Sequence, residues 1–335
     1  MTALTDSWRL ADLELPNRVI LAPLAGIGNW FVRLQARRYG AGLAVSEMVS
    51  SHAIHYRNAR TLTELLRIDP RERAYGPVSI QLFGSDPAVM RTAARYVAEL
   101  GADLIDLNMG CPVPKVCRTG AGAALLDDGE RAVALATAAR EGSGLPVTVK
   151  LRSGRRRGDS SGIELAHRLV EEAGVSAIAI HPRAAVAGHK GGPDYAAVAE
   201  LVRTLDAPVI LSGGLHTAAA VREAFALTGA DAVMIARGSL GNPWIFAELL
   251  GARDSPPARA EVLSELEWLI ERAVEHLGVA RATRYLRRFY PWYLERLVLD
   301  RRHARQLQCA LQVSESFAAV RGLLATAPEA MPTTV

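Results

Sequence analysis

With 335 residues, the chain has room for one large domain with an appendage or for two ordinary domains. Half of the residues are apolar and 22% are charged, with a net charge of +4, which excludes a disordered chain and leaves only a mild basic excess. No apolar run is long enough for a bilayer span, no signal-peptide pattern opens the chain and the 3 cysteines make no disulfide framework, so a reducing cytoplasm is the expected setting.

In chain order, β-branched runs alternate with helix-sized spacers. They are RVILAPLAG (18–26), LAVSEMV (43–49), PVSIQLFG (77–84), ADLIDLNMG (102–110), PVTVKLRSG (146–154), SAIAIHPR (176–183), PVILSGG (208–214) and ADAVMIARG (230–238). Strands spaced in this way predict βα units with parallel pairing. Their span, closing near residue 250, suits a (β/α)8 TIM barrel. A doubly wound sheet would carry Gly-x-Gly-x-x-Gly after its first strand, whereas the turn here reads GIGNWF and lacks the third glycine. The expected fold is therefore α/β, a TIM barrel over 1–250. Beyond the Pro-rich SPPARAE stretch, helical periodicity without strand signals predicts a C-terminal all-helical domain over 255–325. Pro291 should kink or break a helix there, and 326–335 reads as a flexible tail.

Within each strand, residues two apart share a face. Thr148, Lys150 and Arg152 lie opposite Val147, Val149 and Leu151, while Ala179, His181 and Arg183 lie opposite Ile178 and Ile180. Ser79 and Gln81 lie opposite Val78, Ile80 and Leu82, and Asp106 and Asn108 share a parity. Helices must cover the apolar faces, so the polar sets converge inside the barrel at the carboxyl ends of strands, where barrel enzymes place their active sites. Gly213-Gly214 closes the seventh strand and Arg237-Gly238 the eighth, the usual seat of a phosphate in such barrels. Lys150 is a fixed cation in this mouth, suited to a Schiff base, to countering negative charge on a bound ring, or to an ion pair with Asp106 or Glu47. Gln81 is suited to the edge of a heterocycle, and His181 with Arg183 to a phosphate. Cys111 and Cys117 are six positions apart with no histidine beside them, so no metal is expected.

The loop after the fourth strand, DLNMGCPVPKVCRTGAGAALL (106–126), is the most specific stretch of the chain. With APLAGIGNWFVR, VSEM, IQLFGSDP, HPR, PVILSGG and DAVMIARGSLGNPWIF, it resembles the tRNA-dihydrouridine synthases, FMN enzymes that reduce particular uridines in tRNA. SEMVSS and YPWYLE are most similar to the bacterial B-type branch. The resemblance implies that Pro23, Leu24 and Ala25 run along the flavin and that Gln81 and Lys150 contact its ring. It implies further that His181, Ser212, Gly213, Gly214, Ala236 and Arg237 hold the FMN phosphate. Cys111 would protonate C5 of uracil while hydride reaches C6 from the flavin, with Asn108 positioning the base and NADPH as the reductant. A thiol in that role must be protonated when it acts. Pro112 and Pro114 stiffen its loop, and Cys117 is read as incidental.

The same resemblance gives meaning to the helical region, where Arg284, Arg287 and Arg288 lie among further arginines and are expected to contact tRNA phosphates. The interleaved Tyr285, Phe289, Tyr290, Trp292 and Tyr293 are read as helix core. Arg155, Arg156 and Arg157 offer a further phosphate contact, and the expected assembly is a monomer with no protein partner. The chain departs from the family at Ser212, where Asn is usual, at Ala236, where Gly is usual, at Gly28-Asn29 and at Ala184. A small-molecule FMN oxidoreductase on the same barrel is the alternative reading, and an RNA-binding protein without catalysis a more distant one.

Overall fold

The computed structural model describes residues 2–297 and 299–326; of the expected tail, all but residue 326 lies outside them. The chain divides into two compact units, Met1–Gly238 and Ser239–Val335.

In the first unit, β1 (Trp8–Leu10) and β2 (Leu13–Leu15) form an antiparallel hairpin. The strands that follow are β3 (Val19–Leu21), β4 (Leu43–Ala44), β5 (Val49–Ser50), β6 (Ser79–Phe83), β7 (Leu104–Met109), β8 (Val147–Arg152), β9 (Ala177–His181), β10 (Val209–Ser212) and β11 (Ala232–Ile235). They make one sheet in the order β4-β3-β11-β10-β9-β8-β7-β6-β5, with every pair parallel. β4 and β5 are two pieces of the second strand expected from the sequence. β4 pairs with β3 and β5 with β6, and Val45 between them bridges Ser79 of β6. That bridge closes the sheet into the expected eight-stranded barrel. The second strand breaks where Ser46–Met48 turn to other tasks: the Ser46 hydroxyl accepts the Gln81 N–H at 2.9 Å, and the Glu47 carboxylate accepts the Gly26 N–H at 2.8 Å.

The alternation of side chains fixes what lies inside. Val147, Val149 and Leu151 are fully buried on the outer face of β8, covered by helices such as Gly129–Ser143 and Ser161–Ala173. Register then layers the interior: Gln81 lies beside Asp106, Asp106 beside Thr148, Asn108 beside Lys150, and Arg152 beside His181. Lower down, Ile20, Leu43, Leu104, Ala177, Ile210 and Ala232 pack against Trp8, Leu10 and Leu15 of the hairpin, which stoppers the amino-terminal end of the barrel. The hairpin is absent from the sequence-based expectation. Its two-residue turn is Ala11-Asp12, with Ala11 at φ 53°, so the usual Asn-Gly signal for such a turn is missing.

The second unit is helical among its described residues, with helices Trp244–Leu249, Arg259–Leu277, Val279–Leu286, Tyr290–Leu294, Arg301–Val313 and Phe317–Ala325. Glu261 starts the long helix by accepting the Ala258 N–H at 2.7 Å, and Val262, Leu266, Leu269, Ile270 and Ala273 form its buried stripe. Pro291 occupies the first turn of its own short helix, so the chain breaks between Leu286 and Tyr290. Phe289, Tyr290 and Tyr293 are buried, which makes these rings core.

Candidate active site

The inward polar residues frame a cavity of about 320 Å³ at the carboxyl end of the barrel. Cys111, Asn108, Pro23, Ala25, Gln81, Lys150, His181, Ser212, Gly213, Gly214, Ala236 and Arg237 all line it. Leu24 does not: its side chain is buried, and its carbonyl accepts the N–H groups of Ile27 and Gly28 in a tight turn.

The floor is a chain of hydrogen bonds that begins at a buried carboxylate. Asp106 accepts from the Thr148 hydroxyl at 2.6 Å and from Gln81 Nε2 at 2.6 Å. With its nitrogen so committed, Gln81 turns Oε1 toward Asn108, whose Nδ2 donates to it at 3.0 Å. Asn108 then turns Oδ1 outward, where it accepts the Cys111 N–H at 3.0 Å. A carboxylate only accepts, so each amide orientation follows from the one before it. Burial pushes Asp106 up to about 6, against hydrogen bonds from Thr148 and Gln81 and the charge of Lys150. Burial likewise lowers Lys150 to about 8, reinforced by Arg152 and opposed by Asp106. Asp106 is thus the carboxylate coupled to Lys150, while Glu47 caps the Gly26 turn.

Cys111 is half-buried at the lip of this floor. Burial raises its thiol above the ordinary cysteine value, and the Val113 N–H and the Arg152 charge only partly offset this, so the thiol is protonated at neutral pH. Its carbonyl accepts the Ala123 N–H at 3.0 Å and the Cys117 thiol at 3.3 Å. Cys117 is therefore not incidental: it fastens the loop that carries Cys111. Gly122, at φ 61°, belongs to the same clasp, since a Cβ there would lie 2.7 Å from the Cys111 carbonyl oxygen.

The opposite end of the cavity is cationic. Gly213 and Gly214 have φ of 92° and 83°, and a Cβ on Gly213 would lie 2.1 Å from the His181 ring. Arg183 Nη1 lies 3.0 Å from His181 Nε2; a guanidinium only donates, so that nitrogen is an acceptor and the ring is neutral, with its proton on Nδ1. Burial, with Lys150, Arg152 and Arg183 around it, drives the His181 pKa far down. His181 is thus neutral and brings no charge to this end of the cavity. Arg237 supplies the cation, with His216 Nε2 3.5 Å from its Nη2. Arg152, placed in the mouth by its parity though given no role there, lines the cavity too, and Met48, His189 and His216 also line it without having been assigned to it from sequence. Arg152 shares the parity of Lys150 and was legible; the two histidines sit on loops, where no periodicity marks them.

Elsewhere on the barrel, Arg155 donates to the Ala123 carbonyl at 3.0 Å and pairs with Asp127 at 3.5 Å, leaving Arg156 and Arg157 as the exposed members of that run. In the helical unit, Arg284 and Arg288 are exposed, and the Arg288 guanidinium lies 5.6 Å from the Tyr285 ring centroid. Arg287 differs: it is half-buried and donates to the Ser314 carbonyl at 3.3 Å.

The model of the dihydrouridine synthase family matches residues 20–327. The tRNA-dihydrouridine synthase B of Pseudomonas aeruginosa is 34% identical over 326 residues, covering 95% of this chain and 96% of the relative. The probable tRNA-dihydrouridine synthase of Mycobacterium leprae is 37% identical over 313 residues, covering 82% of this chain and 80% of the relative. Among solved structures, a variant of NCR from Zymomonas mobilis superposes with a TM-score of 0.55 at 17% identity, over 75% of this chain and 92% of that one, a likeness of fold. A family match that runs through the barrel and the helical unit, with these relatives covered over 96% and 80% of their length, shows that the chain belongs to the dihydrouridine synthase family.

Proposed function

We propose that this chain is a tRNA-dihydrouridine synthase of the bacterial B type, which reduces the C5–C6 double bond of specific uridines in cytoplasmic tRNA with FMN in the barrel mouth and NADPH as reductant. The observation that carries the reading is a half-buried thiol, braced through its own carbonyl, sharing one cavity with the Gly213-Gly214 turn and Arg237. The residues fit the cofactor. A cavity of about 320 Å³ has the size of a small-molecule site. The bare turn at Gly213-Gly214, with Ser212, Ala236 and Arg237 around it and the neutral His181 ring packed against it, suits the phosphate. Gln81 keeps one N–H and one lone pair for the ring edge, Lys150 places a cation beside it, and Pro23 and Ala25 run along it, with Leu24 holding the turn beneath them. Bound there, FMN supplies the hydride that reaches C6 of uracil.

Every other task falls to side chains of this chain. Asn108 holds the Cys111 loop and faces the base. The Cys111 Sγ–H donates its proton to C5 from the side opposite the flavin, and a raised pKa keeps that proton in place until the step needs it. The uridine must leave the tRNA stack to reach a site of this depth. We assign its capture to the barrel, and the grip on the tRNA backbone to the helical region 255–325, through Arg284 and Arg288, with Arg287 bracing the helices.

The test is tRNA isolated with and without the gene, mapped for dihydrouridine, followed by reconstitution with the purified protein and NADPH. Cys111→Ala is expected to retain bound flavin and tRNA while losing about 10²- to 10⁴-fold in turnover, the usual range for removal of a general acid. Wild-type turnover in that variant overturns the acid assignment, and unchanged dihydrouridine in the deletion strain overturns the substrate.

A further inference from the structure

We propose that His189 and His216 form a proton-accepting part of the FMN phosphate site, so that this chain binds FMN with uptake of a proton. The inference rests on the flavin reading above and adds two residues that neither the barrel pattern nor the family resemblance marks. His189 lies on the loop after β9, with its ring stacked on that of His181 at a centroid distance of 5.9 Å and an interplanar angle of 25°. His216 lies on the loop after β10, with Nε2 3.5 Å from Arg237 Nη2. Both line the same cavity as the Gly213-Gly214 turn and Arg237.

The charges acting on these rings are positive and come from each neighbouring strand end. Arg152 belongs to β8, Arg183 follows β9 and Arg237 follows β11; Lys190 is next to His189 in the chain, and the Tyr195 hydroxyl is occupied in donating to the Gly213 carbonyl at 3.2 Å. Partial burial first, then Arg237, Arg152 and Arg183, hold His189 below the ordinary histidine value. Burial first, then Arg237 and Arg183, do the same to His216. In the flavin-free protein both rings are therefore neutral at pH 7, because another proton would join a cluster of guanidinium groups. A phosphate monoester brings up to two negative charges into that cluster. It offsets the field of those guanidinium groups at both rings and raises their proton affinity, and linkage then requires that FMN bind more tightly as pH falls. The gain levels off toward the second phosphate pKa, near 6, where the ligand protonates itself. Riboflavin has the same ring without the phosphate and provokes no such uptake.

The experiment is a titration of the full chain, stripped of flavin, with FMN and with riboflavin between pH 8.5 and 6.5. Calorimetry at pH 7.5 in buffers of different ionisation heat counts the protons taken up. For the wild type, the FMN Kd is expected to fall by about threefold to tenfold across that range, since one proton allows at most about tenfold per pH unit. The riboflavin Kd is expected to stay level. In His189→Gln/His216→Gln, the FMN Kd is expected to lose its pH slope and the proton uptake to disappear, with the two FMN curves drawing together toward pH 8.5. Each single variant, keeping one ring, is expected to fall between. A double variant that retains the wild-type slope overturns this inference alone. Failure of the wild type to bind either flavin overturns the flavin reading, and this inference with it.

Discussion

Asp106 decides the orientation of the whole floor, although it lies two bonded partners away from the reactive thiol. Its two oxygens face two donors, Thr148 Oγ1 and Gln81 Nε2, and an asparagine there would turn an NH₂ group toward one of them. Turned toward Thr148, that NH₂ is accepted by the hydroxyl, which reverses its own bond; turned toward Gln81, it either costs the pair, at about 1–3 kcal/mol for a buried unsatisfied group, or makes the Gln81 amide rotate. Rotation would turn the Gln81 NH₂ toward the Asn108 NH₂ and release the oxygen that now holds the Cys111 N–H. Asp106→Leu, which leaves Gln81 Nε2 without this acceptor in any orientation, is therefore expected to keep its flavin and lower turnover by about tenfold or more, as misplacement of a catalytic group does, whereas Asp106→Asn, which can satisfy both partners, is expected to be milder. Single-turnover rates on flavin-loaded protein check this, and wild-type rates would mean that Gln81 and Asn108 hold themselves. How much of the floor was legible follows from the same residues. Period-two alternation placed Asp106, Asn108, Gln81 and Lys150 on the inner face, but who donates to whom depends on cross-strand register, which alternation leaves open. Cys117 was misread for a related reason: its role is a bond to a backbone carbonyl, and no motif records that.

At the scale of elements, the barrel is specified twice, by its strands and by its stopper. Eight parallel strands leave an apolar hole at the amino-terminal end, and the hairpin fills it with Trp8, Leu10 and Leu15, all buried, while Arg9 and Glu14 alternate outward. Trp8 Nε1 pins the hairpin by donating to the Asn17 carbonyl at 3.0 Å. Leu10 is fully buried, so Leu10→Ala is expected to cost about 2–5 kcal/mol of stability, the range for a large-to-small change in a core. Denaturant unfolding measures it, and a loss under 1 kcal/mol would mean that the stopper closes the barrel without holding it. The main strands were legible because each is a buried run with β-branched residues and a glycine or helix-sized spacer after it. The hairpin was not, because its strands are three residues long and its turn is carried by Ala11 in a left-handed conformation. The break in the second strand escaped for a different reason. LAVSEMV reads as continuous, and only the partners of Ser46 and Glu47, supplied by residues distant in sequence, show why the ladder stops there.

For the whole molecule, a net charge of +4 does not say where the cations sit or what each one does. Arg284, Arg288, Arg301, Arg302 and Arg305 are exposed within one helical unit, where Phe289, Tyr290 and Tyr293 are buried in the core while Tyr285 and Trp292 are half-buried. A tRNA held by such side chains releases one counterion for each neutralised phosphate, so affinity falls steeply with salt. Arg284 and Arg288 are the members of the expected trio that reach solvent, while Arg287 is tied to Ser314. The two kinds of arginine should therefore fail in different ways. Arg284→Ala/Arg288→Ala is expected to weaken tRNA binding and to reduce the slope of log affinity against log salt by up to about 2, at roughly 0.7–0.9 per phosphate contact. Arg287→Ala is expected to lower the thermal midpoint of the protein, because it strips a half-buried carbonyl of its donor. Binding isotherms at several salt concentrations, alongside thermal melts, separate the two effects. An unchanged salt slope in the double variant would take both residues out of the tRNA interface and move the search to Arg301, Arg302 and Arg305, whose side chains line a separate groove along the helix Arg301–Val313.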